Sequence, residues 1–308
     1  MYQNKMNREK VISNIKLSSL ITALLLVSAC GGGEDSSEAN AIGIQDVAIA
    51  YVKRPTPRDN MNNVQSNDLR IPAMFNEGGD LYLQERATAS AKTINVTRRL
   101  TNGLGDVKDV SSSYDGTKLV FSLRLPDPDP NDTDIPRWYL YQYDITSDTI
   151  TQLTSSAVND GDDISPHFLP DGRIIFSSTR QKTNKTIREN ESRGTFTSVD
   201  ENRSNSAFKL HVRNLDGSIQ QVSFNQSHDL NPIVLKDSGR ILFSRWNHMG
   251  SRNDVSLYSM NPDGTDVQLY YGAHSHNTGQ NPNTAVQFYK PQEIEDGRIM
   301  AILRPFVT

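Results

Sequence analysis

Two histidines stand one residue apart in the sequence His274-Ser275-His276. If this segment is extended, both side chains point the same way and can share one metal ion. His248 lies in a predicted loop of the same blade and is a candidate third ligand. Neutral imidazoles favour Zn, Cu, Ni or Fe over Ca or Mg. We therefore predict a transition-metal site at His248, His274 and His276. The alternative is that these histidines hydrogen-bond loop backbone and hold the connections between strands.

Other chemistry finds little support in the residues. The chain has no nucleophile elbow, phosphate-binding glycine loop or dinucleotide fingerprint, and no spacing that indicates a catalytic triad. Cys30 is the only cysteine, which excludes a disulfide, a thiolate metal site and a Cys-x-x-Cys-His haem motif. The acidic runs 127–134 and 159–163 do not fit a twelve-residue calcium loop. In the second run we expect an aspartate to fasten the connection into the next strand.

The first thirty residues have the pattern of an export signal. Basic residues at 5, 8, 10 and 16 precede an apolar run, 20–27, that is much shorter than the ~20 residues needed to span a bilayer. The run ends in Val27-Ser28-Ala29-Cys30, which resembles the bacterial lipobox. That resemblance implies cleavage before Cys30, diacylation of its thiol and acylation of the new amino group, a stable membrane anchor. An ordinary signal peptide with a chance cysteine is the alternative.

The anchor defines the domain organisation and location that we expect. Residues 1–29 are a lipoprotein signal peptide, 30–44 a flexible tether that begins with three glycines, and 45–308 the folded part. Gly31 stands where an aspartate would signal retention in the inner membrane, so the resemblance favours an outer-membrane lipoprotein facing the periplasm or the cell surface.

The charge balance excludes one class of partner. Residues 1–29 carry four basic residues and one acidic residue, so their removal takes the formal charge from −4 to −7. Nucleic-acid binding requires basic patches that offset phosphate charge. We therefore expect no nucleic-acid partner.

A repeat runs through the rest of the chain. Turn aspartates at 115, 171, 237 and 296, each followed within two residues by glycine, separate pairs of apolar runs at spacings of 56, 66 and 59 residues. Glycine supplies the positive φ that tight hairpins require. Two further strand-like runs follow in each complete repeat, joined by Asp216-Gly217 in one and Asp263-Gly264 in another. Four antiparallel strands per repeat predict an all-β propeller built from such blades.

The predicted blades do not complete a ring. We letter the four strands of a blade a to d in chain order. Runs 47–54, 80–86 and 94–100 correspond to strands b, c and d of a blade that has no strand a. Three full blades follow, and then strands a and b of a fifth. We expect about four and a half blades from a chain that is truncated or shortened by a frameshift.

The pattern Ser165-Pro-His-Phe-Leu-Pro-Asp-Gly-Arg-Ile-Ile-Phe-Ser-Ser resembles the TolB-like, WD-type propeller repeat of bacterial envelope proteins. Four stretches, at 49–55, 243–248, 260–265 and 271–279, are similar to the family named after the middle domain of the hydrazine synthase alpha subunit. The resemblance covers residues 45–308 and implies a propeller. In the synthase, chemistry belongs to haems in flanking domains, whose attachment motifs this chain lacks. Fold alone does not transfer function.

Long loops lie on one face of the predicted propeller. The b–c loops span 55–79, 125–137, 179–207 and 247–254, and long loops on a rigid scaffold are the usual place for binding. We predict a non-catalytic scaffold that binds a protein or another envelope component. The alternative is an accessory or remnant subunit of a redox or hydrolytic enzyme, whose catalytic domain, such as a haem domain, lies outside this chain.

Overall fold

A computed structural model describes most of the chain after residue 46. The described residues are 47–56, 61, 71–129, 131–132, 135–155, 161–180, 190, 198–199, 206–249, 252–272 and 286–305, with backbone only at 248, 249, 252, 253 and 305. The chain divides into Met1–Ile44, which lies outside these residues, and Gln45–Thr308. Within the described ranges, no helix is long and apolar enough to cross a membrane.

The described strands form five antiparallel sheets in chain order, which we call blades 1 to 5. Blade 1 contains β1 (Ile49–Lys53), β2 (Asp80–Gln84) and β3 (Thr93–Asn95). Blade 2 contains β4 (Asp106–Ser112), β5 (Lys118–Arg124), β6 (Tyr139–Asp144) and β7 (Thr149–Gln152). Blade 3 contains β8 (Asp163–Phe168), β9 (Ile174–Ser178), β10 (Lys209–Arg213) and β11 (Ile219–Gln221).

Blade 4 contains β12 (Asp229–Val234), β13 (Ile241–Met249), β14 (Arg252–Met260) and β15 (Gln268–Tyr271), and blade 5 contains β16 (Val286–Glu293) and β17 (Ile299–Pro305). This succession of one three-stranded, three four-stranded and one two-stranded sheet confirms the predicted strand order. The innermost strands are β4, β8, β12 and β16.

The hairpin turns have the conformation that their residues predict. Gly116, Gly172, Gly239 and Gly297 all have positive φ, between 66° and 85°. The aspartate before the glycine accepts a hydrogen bond from the backbone N–H two residues after it, as Asp115 does from Thr117 at 3.0 Å. Asp171 and Asp296 do the same. Each of these three turns is therefore held by its own side chain.

Alternating side chains join neighbouring blades. Successive residues of a strand point to opposite faces of the sheet. In β5, Phe121 packs with Leu81 of blade 1, whereas Val120 packs with Phe176 of blade 3. The same alternation sends Ile175 of β9 toward blade 4 and Leu242 of β13 toward blade 5. The hydrophobic core thus lies between blades and leaves polar side chains of the innermost strands free to face a common axis.

One predicted strand is wrong at its end. The run 94–100 was expected to be strand d of blade 1, but β3 ends at Asn95 and a helical turn, α1 (Arg98–Thr101), follows. The reason is a buried carboxylate. Thr97 and Thr101 both donate to Oδ1 of Asp80 at 2.8 Å, and only a helical turn brings hydroxyls four residues apart to one oxygen.

The predicted loop 247–254 is also wrong. β13 and β14 pair without interruption from Ile241 with Met260 to Met249 with Arg252, so 247–249 and 252–254 lie in strands. His248 consequently lies in a strand, with its backbone opposite Asn253, and not in a loop.

Candidate functional site

Each innermost strand carries a β-bulge at the same place. The pairing register shifts between Lys108 and Ser111 in β4, and at equivalent points in β8, β12 and β16. One non-glycine residue of each bulge has a left-handed backbone, at φ between 48° and 56°. These residues are Asp109, Ser165, Asn231 and Lys290, which we call the axial ring. Left-handed backbone costs a non-glycine residue about 1–2 kcal/mol, so four repeated cases point to a functional constraint.

The side chains of the axial ring hydrogen-bond one another across blades. Ser165 Oγ donates to Asp109 Oδ2 at 3.0 Å, and Asn231 Nδ2 donates to Ser165 Oγ at 3.0 Å. Lys290 Nζ lies 3.1 Å from Asp109 Oδ1, which joins blade 5 to blade 2. A bulge turns these side chains out of the ordinary alternation and toward the axis. The four innermost strands are therefore linked through one polar network.

A cavity of about 110 Å³ lies beside the axial ring. Its polar lining consists of the ring together with Arg54 and Lys108, and its apolar lining comes from Ile71, Pro72, Met74, Ile164, Leu230 and Tyr289. A water molecule needs roughly 10–15 Å³ of such space, so several waters or one small molecule fit here.

Part of the first b–c loop is fixed beside this cavity. The indole N–H of Trp138 donates to the Ala73 carbonyl at 2.9 Å, and Arg54 donates to the Met74 carbonyl at 3.3 Å. Phe75 packs under the guanidinium of Arg124, which lies 4.6 Å from the ring centroid. Residues 71–76 thereby connect blade 1 to blade 2 over the end of the axis where b–c and d–a connections emerge.

Lys108 is a buried cation in the cavity wall. Its Nζ donates to the Pro72 carbonyl and lies 4.1 Å from the centroid of the Trp138 ring. Burial lowers the pKa of Lys108 to about 8. The positive charges of Arg54 and Lys290 lower this pKa as well, whereas the carboxylates of Asp109 and Asp106 raise it. Within the described part of the chain, no carboxylate forms a salt bridge with Lys108.

Asp109 keeps its charge in the same surroundings. Burial alone would raise its pKa, but the neighbouring charges of Lys290 and Lys108 and the hydrogen bonds from Lys290 and Ser165 outweigh it and hold the pKa at about 2. The carboxylate is therefore ionised throughout the physiological range, and two ammonium groups surround it.

At the start of three innermost strands, a buried aspartate pairs with an arginine. Arg54 binds Asp106 through two hydrogen bonds, at 2.7 and 2.6 Å. Arg245 binds Asp229 in the same bidentate manner, and Arg180 pairs with Asp163. Asp163 belongs to the acidic run 159–163, where the sequence predicted an aspartate that fastens the connection. These pairs are fixed parts of the fold and leave their charges neutralised.

The predicted histidine site falls largely outside the described residues. His274, His276 and the side chain of His248 lie there, as does Cys30 with its predicted lipid, so the metal site and the anchor stay predictions. Among the described residues, no group of three or more His, Cys, Asp or Glu side chains could hold a metal ion. Another histidine, His228 in a d–a connection, accepts a hydrogen bond from the Phe208 N–H at 3.0 Å.

Sequence reasoning missed the axial ring, although a signal was present. Each ring residue stands six positions before the turn aspartate of its repeat, so the two sets share the spacings of 56, 66 and 59 residues. Aligning the repeats on their turns would have placed Asp109, Ser165, Asn231 and Lys290 in one column.

Comparison with known proteins decides the fold. No protein-family model matches this sequence, and no curated protein does. Hydrazine synthase from Kuenenia stuttgartiensis superposes with a TM-score of 0.58 over 84% of this chain, at 15% identity. The chain has a β-propeller fold. The match covers 35% of the synthase chain, so this propeller corresponds to about a third of that protein's length, and at this identity the likeness concerns the fold alone.

Proteins named TolB are also similar in structure. A putative TolB from Agrobacterium tumefaciens has a TM-score of 0.45 at 17% identity, over 77% of this chain and 70% of its own. TolB from Acinetobacter baumannii has a TM-score of 0.38 at 16% identity, over 62% of this propeller chain and 37% of its own.

Proposed function

We propose that this protein is a lipid-anchored propeller of the cell envelope that binds a protein or another envelope component through its b–c and d–a connections. Cys30 carries the lipid, the anchor places the propeller at the outer membrane, and the scaffold itself is non-catalytic. The propeller fold supports the scaffold, and the lipobox-like sequence supports the anchor.

The observation that carries the binding proposal is the distribution of exposed apolar side chains. The central part of a surface that binds another macromolecule is more apolar than the rest of the protein surface. The described b–c and d–a connections of blades 1 to 3 expose seven large apolar residues: Met61, Ile71, Leu100, Leu104, Leu125, Ile135 and Phe224. The a–b and c–d connections of the same blades expose two, Tyr114 and Leu215.

Photo-crosslinking in the producing cell tests this face. A photoreactive residue replaces Ile135 or Phe224, which are 64% and 60% exposed, and the matched controls are Tyr114 and Leu215, at 62% and 73%. We expect adducts of defined mass from Ile135 and Phe224 alone. Equal adducts from all four positions, or none from any, would contradict the proposal. Mass spectrometry of the adducts identifies the partner.

The anchor has a separate test. Grown with a palmitate analogue, cells should yield labelled protein that fractionates with the outer membrane, because Cys30 is the predicted acylation site. Cys30→Ala should lose the label and the membrane association together. Wild-type protein that is unlabelled and freely soluble would end this part of the proposal.

A second candidate function rests on the likeness to hydrazine synthase. The propeller then serves as an accessory or remnant subunit of a redox or hydrolytic enzyme whose catalytic domain lies outside this chain. The matched third of the synthase chain supports it. Sequencing the DNA beyond codon 308 separates the candidates, since an in-frame Cys-x-x-Cys-His motif would favour the second.

A further inference from the structure

We propose that the axial cavity binds a small anion, a carboxylate or a phosphate group, with Lys108 as its main charged partner. The inference concerns the cavity and does not depend on the partner of the outer loops. Ile135 and Phe224, which test that partner, do not line the cavity.

The first argument is the charge of the lining. Arg54, Lys108 and Lys290 contribute three cations, and Asp109 contributes the only carboxylate among the lining residues described. Asp106 neutralises Arg54, and Asp109 pairs with Lys290. The positive charge of Lys108 is therefore not neutralised by a salt bridge within the described lining. The protein as a whole is acidic, so this local excess runs against its net charge.

The second argument is the cost of keeping Lys108 there. A buried ammonium group without a counter-ion is unfavourable, because it has lost water and gained only partial compensation. Here that compensation is the Pro72 carbonyl and the face of Trp138. An anion in the cavity would supply the missing charge and would be held by a charge-assisted hydrogen bond.

The third argument is the neutral donors of the axial ring. Asn231 uses one amide hydrogen on Ser165, and a second amide hydrogen is available on the same nitrogen. Lys290 has three ammonium hydrogens, of which one faces Asp109. Donors from β12 and β16 can therefore converge on the anion that Lys108 attracts from β4. The strained bulges hold these donors in place before any ligand arrives.

The size of the cavity limits the ligand. A volume of about 110 Å³ suits phosphate or a short carboxylic acid. Ile71, Pro72 and Met74 from the first b–c loop give the ligand an apolar wall on one side. A carboxylate with a short hydrocarbon tail and inorganic phosphate share the recognition chemistry, and the experiment distinguishes them.

The test is an anion titration of the full chain as the cell processes it. Acetate, succinate and phosphate are added at constant ionic strength, with chloride as the balancing salt. Tryptophan fluorescence reports on Trp138 beside Lys108 together with Trp246, the other tryptophan, and the melting temperature reports on binding to the folded state. We expect a saturable response to at least one of the three anions, and the anion with the highest affinity identifies the ligand class.

Three variants assign the response to the cavity. Lys108→Met keeps the length of the side chain without its charge and should weaken binding about tenfold or more. Asn231→Asp keeps the shape and adds a negative charge, so it should weaken binding as well. Lys92→Met removes an exposed cation from the edge of blade 1 and should change nothing. Melting curves without anion show which variants fold, and Asn231→Asp decides if Lys108→Met does not.

The pH dependence gives an independent check. Lys108 faces Arg54, Asp106, Asp109 and Lys290, and its pKa of about 8 means that it loses its proton at mildly alkaline pH. For acetate and succinate, whose charge is constant between pH 7 and 9, affinity should therefore fall over this range, and Lys108→Arg should remove that fall. The proposal is overturned if wild-type protein gives no saturable response up to anion concentrations on the order of 10 mM, responds equally to chloride, or binds as tightly with Lys108→Met.

Discussion

Two positions of the same repeat behave in opposite ways. The turn position holds aspartate in four repeats, at 115, 171, 237 and 296. Six residues earlier, the axial ring holds four different residues: Asp109, Ser165, Asn231 and Lys290. The backbone repeats at both places, since every turn glycine and every ring residue has positive φ. The two positions therefore differ in whether the residue type is constant across the repeats.

The partner of the side chain explains the difference. The aspartate at 115, 171 or 296 accepts a hydrogen bond from a backbone N–H of its own hairpin. The same interaction is therefore made in each of these repeats, and the same residue type serves it. Each ring side chain bonds to a ring side chain of another blade, and a donor must meet an acceptor. Four identical carboxylates in a ring would repel one another. Within a repeat protein, positions that vary while the backbone stays constant therefore indicate a site.

The largest effect should come from a repeated position of the fold. Asp163→Asn leaves the buried guanidinium of Arg180 without its counter-charge, and breaking such a pair costs about 3–5 kcal/mol. Denaturant unfolding measures the loss. Asp171→Asn, at a surface pair with Arg173, should cost below about 1 kcal/mol. A loss below that value for Asp163→Asn would show that its pair with Arg180 is not a fixed part of the fold.

A smaller, pH-dependent effect should come from the cavity. The pKa of Lys108 is about 8 in the folded protein against ~10.4 in the unfolded chain. Between these values the unfolded chain binds more protons, so the free energy of unfolding should rise with pH. We expect a gain of about 1–3 kcal/mol from pH 7.5 to 10, measured as the difference between wild-type protein and Lys108→Met.

The comparison with Lys108→Met cancels other groups that titrate in this range. An anion that binds in the cavity should reduce the gain, because it favours protonated Lys108. A difference between the two proteins that stays flat with pH would mean that Lys108 has an ordinary pKa, and would weaken the case for a desolvated cation beside the axial ring.

The fold was predictable from the sequence because its determinants are local. Asp-Gly turns and alternating apolar residues identify hairpins within a few positions of the chain. The exceptions depend on distant partners. Asp80 recruits Thr97 and Thr101 and so converts the end of a predicted strand into α1. Nothing in the run 94–100 itself indicates that its threonines contact a carboxylate of β2.

The candidate site was not predicted for the same reason. Asp109 and Lys290 are 181 residues apart, and only closure of the innermost strands around the axis brings them into contact. Lys108 in the sequence looks like any strand lysine, and its burial depends on Pro72 and Trp138, which are distant in the chain. His274 and His276, by contrast, form a recognisable pattern because they are close in the sequence.

The smallest effect tests whether the turn glycines and the axial ring both require a left-handed backbone conformation. Gly116 has φ of 70°, and no atom lies within 4 Å of the place that a Cβ would occupy, so Gly116→Ala should cost about 1 kcal/mol from backbone strain alone. At Asn231, with φ of 53°, glycine should be more stable than alanine by about 1 kcal/mol, although both lose the hydrogen bond to Ser165. At Thr151, an exposed position of β7, alanine should instead be more stable than glycine by about 0.5–1 kcal/mol. Denaturant unfolding of these five variants measures the three differences. If alanine is the more stable residue at 231 as well, the left-handed bulge relaxes without cost, and the axial ring is not held in place by its backbone.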